Sequence, residues 1–233
     1  MSITEWEIDT DSPSSITYTT DIATPIFGNG SLLFQYSDTV AGSINALPSV
    51  VSGFPHAVTA GKFRTLFRVK AFNGSSPLNV SSLGIIAMQA ERNSTGTTSS
   101  RTFYAVAVLL PEGLGTGSVL LKLYKALSIG GLKNIYASTE LASMTYPTTV
   151  SVGSLHSIEL QWISSLPQLG GTFLIVRTGT QVDYSDLTSQ LSYTDTSSPL
   201  LTTVGEGLFA YFKGGSSVLK QFIFDETKLY QLT

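Results

Sequence analysis

The sequence predicts an all-β protein built as an antiparallel β-sandwich, and three observations carry that expectation. Apolar residues alternate with a period of two in one segment after another. Separators rich in Gly, Pro, Asn and Ser interrupt those segments at short intervals. No segment holds an apolar stripe of helical period for three turns, and only Tyr184 to Gln190 (YSDLTSQ) suggests a single helical turn.

Along the chain, short strands are expected at Glu5 to Asp9 and Ile16 to Thr19, and a further one at Ser31 to Tyr36 after the turn Phe27 to Gly30 (FGNG). Lys62 to Phe72 (KFRTLFRVKAF) alternates most clearly. Phe63, Thr65, Phe67, Val69 and Ala71 share one face; Arg64, Arg68 and Lys70 share the other, with Leu66 as an exposed exception. After Asn73 to Pro77 (NGSSP), strands are expected at Leu83 to Ala90, at Thr102 to Leu110 and, beyond the turn Pro111 to Gly117 (PEGLGTG), at Ser118 to Lys125. Asn134 to Ser138 and Thr148 to Val152 are expected as short strands.

His156 to Trp162 (HSIELQW) alternates again, with His156, Ile158, Leu160 and Trp162 toward a core and Ser157, Glu159 and Gln161 away from it. Thr172 to Thr178, Gly207 to Lys213 and Val218 to Asp225 complete the set, and Thr188 to Thr203, broken by Pro199, is expected as a long surface connection. Ten or more strands at this spacing make a sandwich or barrel and not a parallel α/β sheet. No repeat and no linker-like break in composition appears, so residues 1–233 are expected as one domain, with residues up to about position 25 as an arm or edge strand.

Composition narrows the function classes. Only 12% of the 233 residues are charged, about half the usual share of about 25%, so Ser, Thr and Gly cover much of the surface. The net charge is −3, with Lys and Arg scattered along the chain, which argues against a nucleic-acid partner. The absence of cysteine excludes disulfides, thiolate metal sites and a cysteine nucleophile. Met1 to Trp6 (MSITEW) has neither the basic nor the apolar region of a signal peptide, and no apolar run reaches membrane-spanning length.

The segments Leu155 to Trp162 (LHSIELQW), Gly171 to Gly179 (GTFLIVRTG), Gly205 to Phe212 (GEGLFAYF) and Val218 to Leu229 (VLKQFIFDETKL) resemble the closing strands of concanavalin A-like and laminin-G-like jelly rolls. The resemblance implies a jelly-roll sandwich. Freedom from Cys, abundance of Ser, Thr and Gly, and scarcity of charge also make the chain similar in style to tail, baseplate and head-decoration proteins of bacteriophages.

Candidate site residues are few. Glu5, Glu7 and Asp9 put three carboxylates on one strand face, the kind of grouping glycoside hydrolysis needs. The laminarinase-like jelly-roll glycosidases run Glu, Asp, Glu on a mid-chain strand, however, and here the order is Glu, Glu, Asp at the start, so a solvated first strand is expected. Trp6, Tyr136, Tyr184 and Tyr193 are the expected sugar-stacking aromatics, drawn from a wider set that includes Tyr18, Phe54 and Tyr146. Asp183 and Asp186, with Asp195 and Asp225, can offer oxygen ligands to Ca²⁺, although none matches an ordered calcium loop, and no other cofactor is expected.

His56 and His156 read as structural histidines. Asn29, Asn73, Asn79 and Asn93 open sequons that read as loop residues, and Gly113, Gly115 and Gly117 lack the Lys-Ser/Thr of a phosphate loop.

The expectation is therefore a non-enzymatic structural protein of a virion. A mean hydropathy of +0.21 fits self-assembly into a homo-oligomer and contact with other virion proteins. The alternative is a carbohydrate-binding, lectin-like module recognising surface glycans, and a glycoside hydrolase or polysaccharide lyase comes third.

Overall fold

The computed structural model describes residues 6–10, 16–37, 42–48, 59–72, 80–87, 103–111, 114, 117–126, 139–164, 170–200, 207–212 and 219–232. Its strands in chain order are β1 (Trp6–Thr10), β2 (Ile16–Asp21), β3 (Ser31–Tyr36), β4 (Gly42–Pro48), β5 (Ala60–Phe72), β6 (Val80–Ala87) and β7 (Phe103–Pro111), followed by β8 (Leu120–Ala126), β9 (Thr139–Thr145), β10 (Leu155–Ser164), β11 (Thr172–Gly179), β12 (Thr188–Asp195), β13 (Gly207–Phe212) and β14 (Lys220–Gln231). Among the described residues there is no helix, and so none long and apolar enough to cross a membrane.

Two seven-stranded antiparallel sheets form. The first runs β1-β4-β13-β6-β7-β8-β9 and the second β12-β11-β10-β5-β14-β3-β2. Neighbours such as β5 and β14, or β4 and β13, are far apart in sequence, so the core closes only when distant segments meet.

The inward residues of both sheets make one core. Phe34, Phe63, Phe67, Leu160, Trp162 and Phe224 come from the second sheet, and Leu83, Val106, Val108, Leu123 and Leu208 from the first. Rings interleave across the gap, with Tyr36 stacked on Phe212 at 5.2 Å and Phe212 on Phe222 at 5.0 Å. Such pairs add about 0.5–1.5 kcal/mol beyond the area they bury.

The outer faces differ in chemistry. On the first sheet, Ile86, Phe103, Ala105, Ala107, Leu109, Tyr124 and Phe209 form a second apolar cluster. β7 is consequently buried on both faces, as its unbroken apolar run FYAVAVLLP requires. The outer face of the second sheet gathers the charged residues described below.

Several sequence expectations are corrected. Leu66 is fully buried, not exposed: it lies in a cross-strand row with Ser157 and Asp225, both buried too. A register shift opposite Gln221 and Phe222 puts Phe72, not Ala71, into the core, because a bulge inverts the alternation beyond it. Thr188–Asp195 is a strand and not a connection; its polar residues are tolerated because β12 is an edge, where Leu191 and Tyr193 alone pack against the core. Residues 184–187 form a turn leading into that strand, which 188–190 begin, and 148–152 lie outside any strand. Gly42–Pro48 and Thr139–Thr145 are strands that alternation did not reveal. Asn134 to Ser138 lies outside the described residues.

Candidate functional site

Register alone assembles a polar patch on the outer face of the second sheet. Glu159 on β10 faces Arg177 on β11 and Arg64 on β5, and Arg64 in turn faces Lys228 on β14. Two residues along, Gln161 faces Ile175 and Lys62, and Lys62 faces Tyr230. Directly opposed residues on one sheet face have Cβ atoms about 4.5–5.5 Å apart, so these two rows form one continuous surface.

Glu159 is the floor of the patch, its side chain 3% exposed. Arg177 Nη1 donates at 2.7 Å to Glu159 Oε1 and at 2.7 Å to Gln161 Oε1. Glu159 Oε2 accepts no hydrogen bond; Lys62 Nζ and Arg64 Nη1 stand off at 3.9 Å and 4.0 Å. Beyond Nη1, the Arg177 guanidinium has no hydrogen-bond partner among the described residues, nor have the Gln161 amide N–H groups and the Lys62 ammonium. These donors face outward from side chains that keep 24% (Arg177) and 30% (Lys62) of their exposure.

Two tyrosines hold Arg64. Its guanidinium lies 4.1 Å from the Tyr184 ring centroid and 4.6 Å from that of Tyr230, and its Nη2 donates to Tyr230 Oη at 2.6 Å. The Tyr230 hydroxyl hydrogen is therefore left to donate elsewhere.

Tyr184 reaches Arg64 because the β11–β12 connection folds over this face. Asp186 ties that connection: Oδ2 accepts from Thr180 N at 2.7 Å and Thr180 Oγ1 at 2.8 Å, and Oδ1 from Gln181 N at 3.0 Å. Burial works against the charge on Asp186, but these bonds outweigh it and hold the carboxyl below its ordinary range. Tyr184 sits at φ 63°, and its Oη donates to the Glu226 carbonyl at 2.6 Å. Burial pushes its phenol up, although Arg64 opposes that shift.

The residues expected from sequence fall in separate places. Tyr184 borders the patch, with its ring under the Arg64 guanidinium. Tyr193 packs against the core from β12. Trp6, Glu7 and Asp9 lie on β1, an edge strand of the other sheet, where Glu7 pairs with Leu47 and Asp9 with Asn45. Glu5, Tyr136 and His56 lie outside the described residues. Asp183 Oδ1 accepts from the Ser185 amide and hydroxyl, which hold its carboxyl below the usual range.

Asp195 is buried between the sheets beside Lys125, whereas Asp225 Oδ2 accepts from Phe27 N and Ser31 Oγ. Among the described residues no three acids or histidines converge in a way that can hold a metal ion. His156 is a core histidine, stacked on Phe67 at 5.2 Å.

Sequence reasoning missed Arg64, Gln161, Arg177 and Tyr230 as a group. Their signal was available only in part, as the outward phase of KFRTLFRVK and of SIELQ.

No protein-family model and no curated protein matches the chain. Solved structures do match. The endo-β-1,4-glucuronan lyase of the fungus Trichoderma reesei aligns at TM-score 0.60 and 11% identity, over 99% of this chain and 93% of its own. The VIP36 exoplasmic/lumenal domain in a Ca²⁺/Man2-bound form aligns at 0.58 and 14%, over 98% and 82%. A potassium-bound Emp46p carbohydrate recognition domain aligns at 0.58 and 13%, over 99% and 90%.

The fold is the concanavalin A-like lectin β-sandwich. These likenesses also correct one expectation. The sequence reading set catalysis aside, yet the same architecture serves a glucuronan lyase across nearly the whole chain, so the fold gives no ground for excluding an enzyme. The virion assembly role gains nothing from them, and the carbohydrate alternative is the better supported of the two.

Proposed function

We propose that this protein binds carbohydrate through the outer face of its second sheet, at Lys62, Gln161, Arg177 and Tyr230. The observation that carries the proposal is the set of outward-facing donors on Arg177, Gln161 and Lys62 beside the Tyr230 ring, oriented from below by Glu159. Sugar recognition uses this combination: directional hydrogen bonds to hydroxyls and ring oxygens, with an aromatic surface alongside. The fold supports the same reading, since the matched structures named above are a carbohydrate recognition domain, a Man2-bound domain and a glucuronan lyase.

A bound cation, as in the Ca²⁺-bound VIP36 domain and the potassium-bound Emp46p domain, is proposed here only as an accessory, with Asp183 and Asp186 of the β11–β12 connection as its candidate ligands. The setting proposed is a particle-borne domain of a virion, as the composition suggests, in which glycan contact serves attachment to a surface.

A glycan array probed with the purified chain tests the function. Binding to a defined sugar class, lost when Gln161 and Arg177 are replaced together, is the expected result. Binding to no glycan overturns it. Following the same incubation for shortened or unsaturated products separates binding from cleavage.

A further inference from the structure

We infer that the sugar this patch selects is acidic, and that the Arg177–Gln161–Lys62 arc receives its carboxylate. The inference rests on the carbohydrate reading above and adds the ligand class.

Charge is the first ground. Six of the chain's thirteen Lys and Arg residues, Lys62, Arg64, Arg68, Lys70, Arg177 and Lys228, lie on this outer face. Two of them are neutralised locally, Lys70 by Asp21 at 2.7 Å and Lys228 by Glu226 at 2.5 Å. Around Glu159, however, three cations share a single carboxylate. The centre of the patch thus keeps an uncompensated positive charge in a chain whose net charge is −3.

Donor chemistry is the second ground. Among the described residues, every outward-facing group of the arc left without a hydrogen-bond partner is an N–H: the outer guanidinium of Arg177, the amide of Gln161 and the ammonium of Lys62; the bare Glu159 Oε2 lies buried beneath them. A neutral sugar hydroxyl both donates and accepts, and it is best met by mixed partners. A carboxylate only accepts, and a guanidinium fork matches its two oxygens.

Glu159 gives the arc its geometry. Buried under Arg177 and lacking a hydrogen bond at Oε2, it pins the inner edge of the guanidinium and leaves the outer edge free. The arc spans Arg177, Gln161 and Lys62 on three adjacent strands, with Tyr230 beside Lys62 on a fourth. That size suits one or two sugar units.

The test is calorimetric titration of the full chain with four probes: a uronate oligosaccharide, a neutral glucan oligosaccharide of equal length, a sulfated oligosaccharide and a DNA duplex. Wild type is compared with Arg177→Gln and Lys62→Gln, after thermal melts confirm that each variant folds. Lys62→Gln keeps the test alive should Arg177→Gln fail, because Lys62 makes no hydrogen bond that the fold needs.

The uronate should bind about tenfold or more tightly than the neutral glucan, weaken with salt, and lose about tenfold in either variant. Equal binding of the neutral glucan, unmoved by both variants, overturns the acidic assignment and leaves the carbohydrate reading standing. Equal or tighter binding of the sulfated probe or the duplex overturns the carboxylate in favour of a general polyanion surface. Binding of none overturns both readings.

Discussion

Lys125 Nζ lies 2.5 Å from Asp195 Oδ2, with neither side chain more than 3% exposed. β8 belongs to the first sheet and β12 to the second, so the pair ties the two together. Tyr104 Oη donates to the same oxygen at 2.5 Å, and Lys125 also donates to the carbonyls of Ser197 and Ser198. Removing one partner strands a buried charge. Asp195→Asn or Lys125→Met should each cost about 3–5 kcal/mol, and the Lys125→Met/Asp195→Leu double variant less than their sum. Urea denaturation measures this, and a loss below about 1 kcal/mol in both single variants contradicts the tie.

His156 makes stability depend on pH. Burial lowers its imidazole from 6.5 to about 4, and the folded chain keeps it neutral between Phe67 and Tyr146, with Nε2 2.7 Å from Ser154 Oγ. The unfolded chain takes up a proton below the ordinary value while the folded chain does not. Stability is therefore fully present above pH 6.5 and falls as the pH drops toward about 4, by on the order of 2–3 kcal/mol. Chemical denaturation across that window should show the fall, and His156→Phe should flatten it. An unchanged slope in the variant assigns the pH dependence elsewhere.

Gly84 cannot carry a side chain. A Cβ there would overlap the Val106 carbonyl oxygen on the neighbouring strand β7 and press on Phe209. Gly84→Ala should cost about 2 kcal/mol or more, since backbone must move in a packed sheet. A melt within about one degree of wild type refutes the close approach.

Asp186 links loop order to ligand binding. Asp186→Ala removes the acceptor of three loop hydrogen bonds, loosens the connection that carries Tyr184, and so frees Arg64. The expected result is about 1–3 kcal/mol less stability together with weaker glycan binding. Loss of stability with glycan affinity unchanged disconnects the loop from the patch.

The all-β architecture was legible because alternation is a local property. HSIELQW gives the facing of its residues, down to His156 in the core, but not the burial of Ser157 and Glu159 on the outer face. What local pattern cannot carry is register. The bulge that trades Ala71 for Phe72 arises from β14, and the polar edge strand β12 looks like a loop until β11 is beside it. For the same reason Lys and Arg that look scattered along the chain converge, because β5 and β14, which carry Lys62 and Tyr230, are distant in sequence from the consecutive strands β10 and β11, which carry Gln161 and Arg177. Among the described residues, Tyr184 is the aromatic named from sequence that lies at the patch, as the support of Arg64.

The central claim is the location of the binding surface, and chemical-shift mapping with a uronate oligosaccharide tests it most directly. Perturbations should concentrate at Lys62, Arg64, Gln161, Arg177 and Tyr230 on the outer face of the second sheet. Perturbations confined to the first sheet, or saturable binding that leaves these five residues unmoved, would contradict the account.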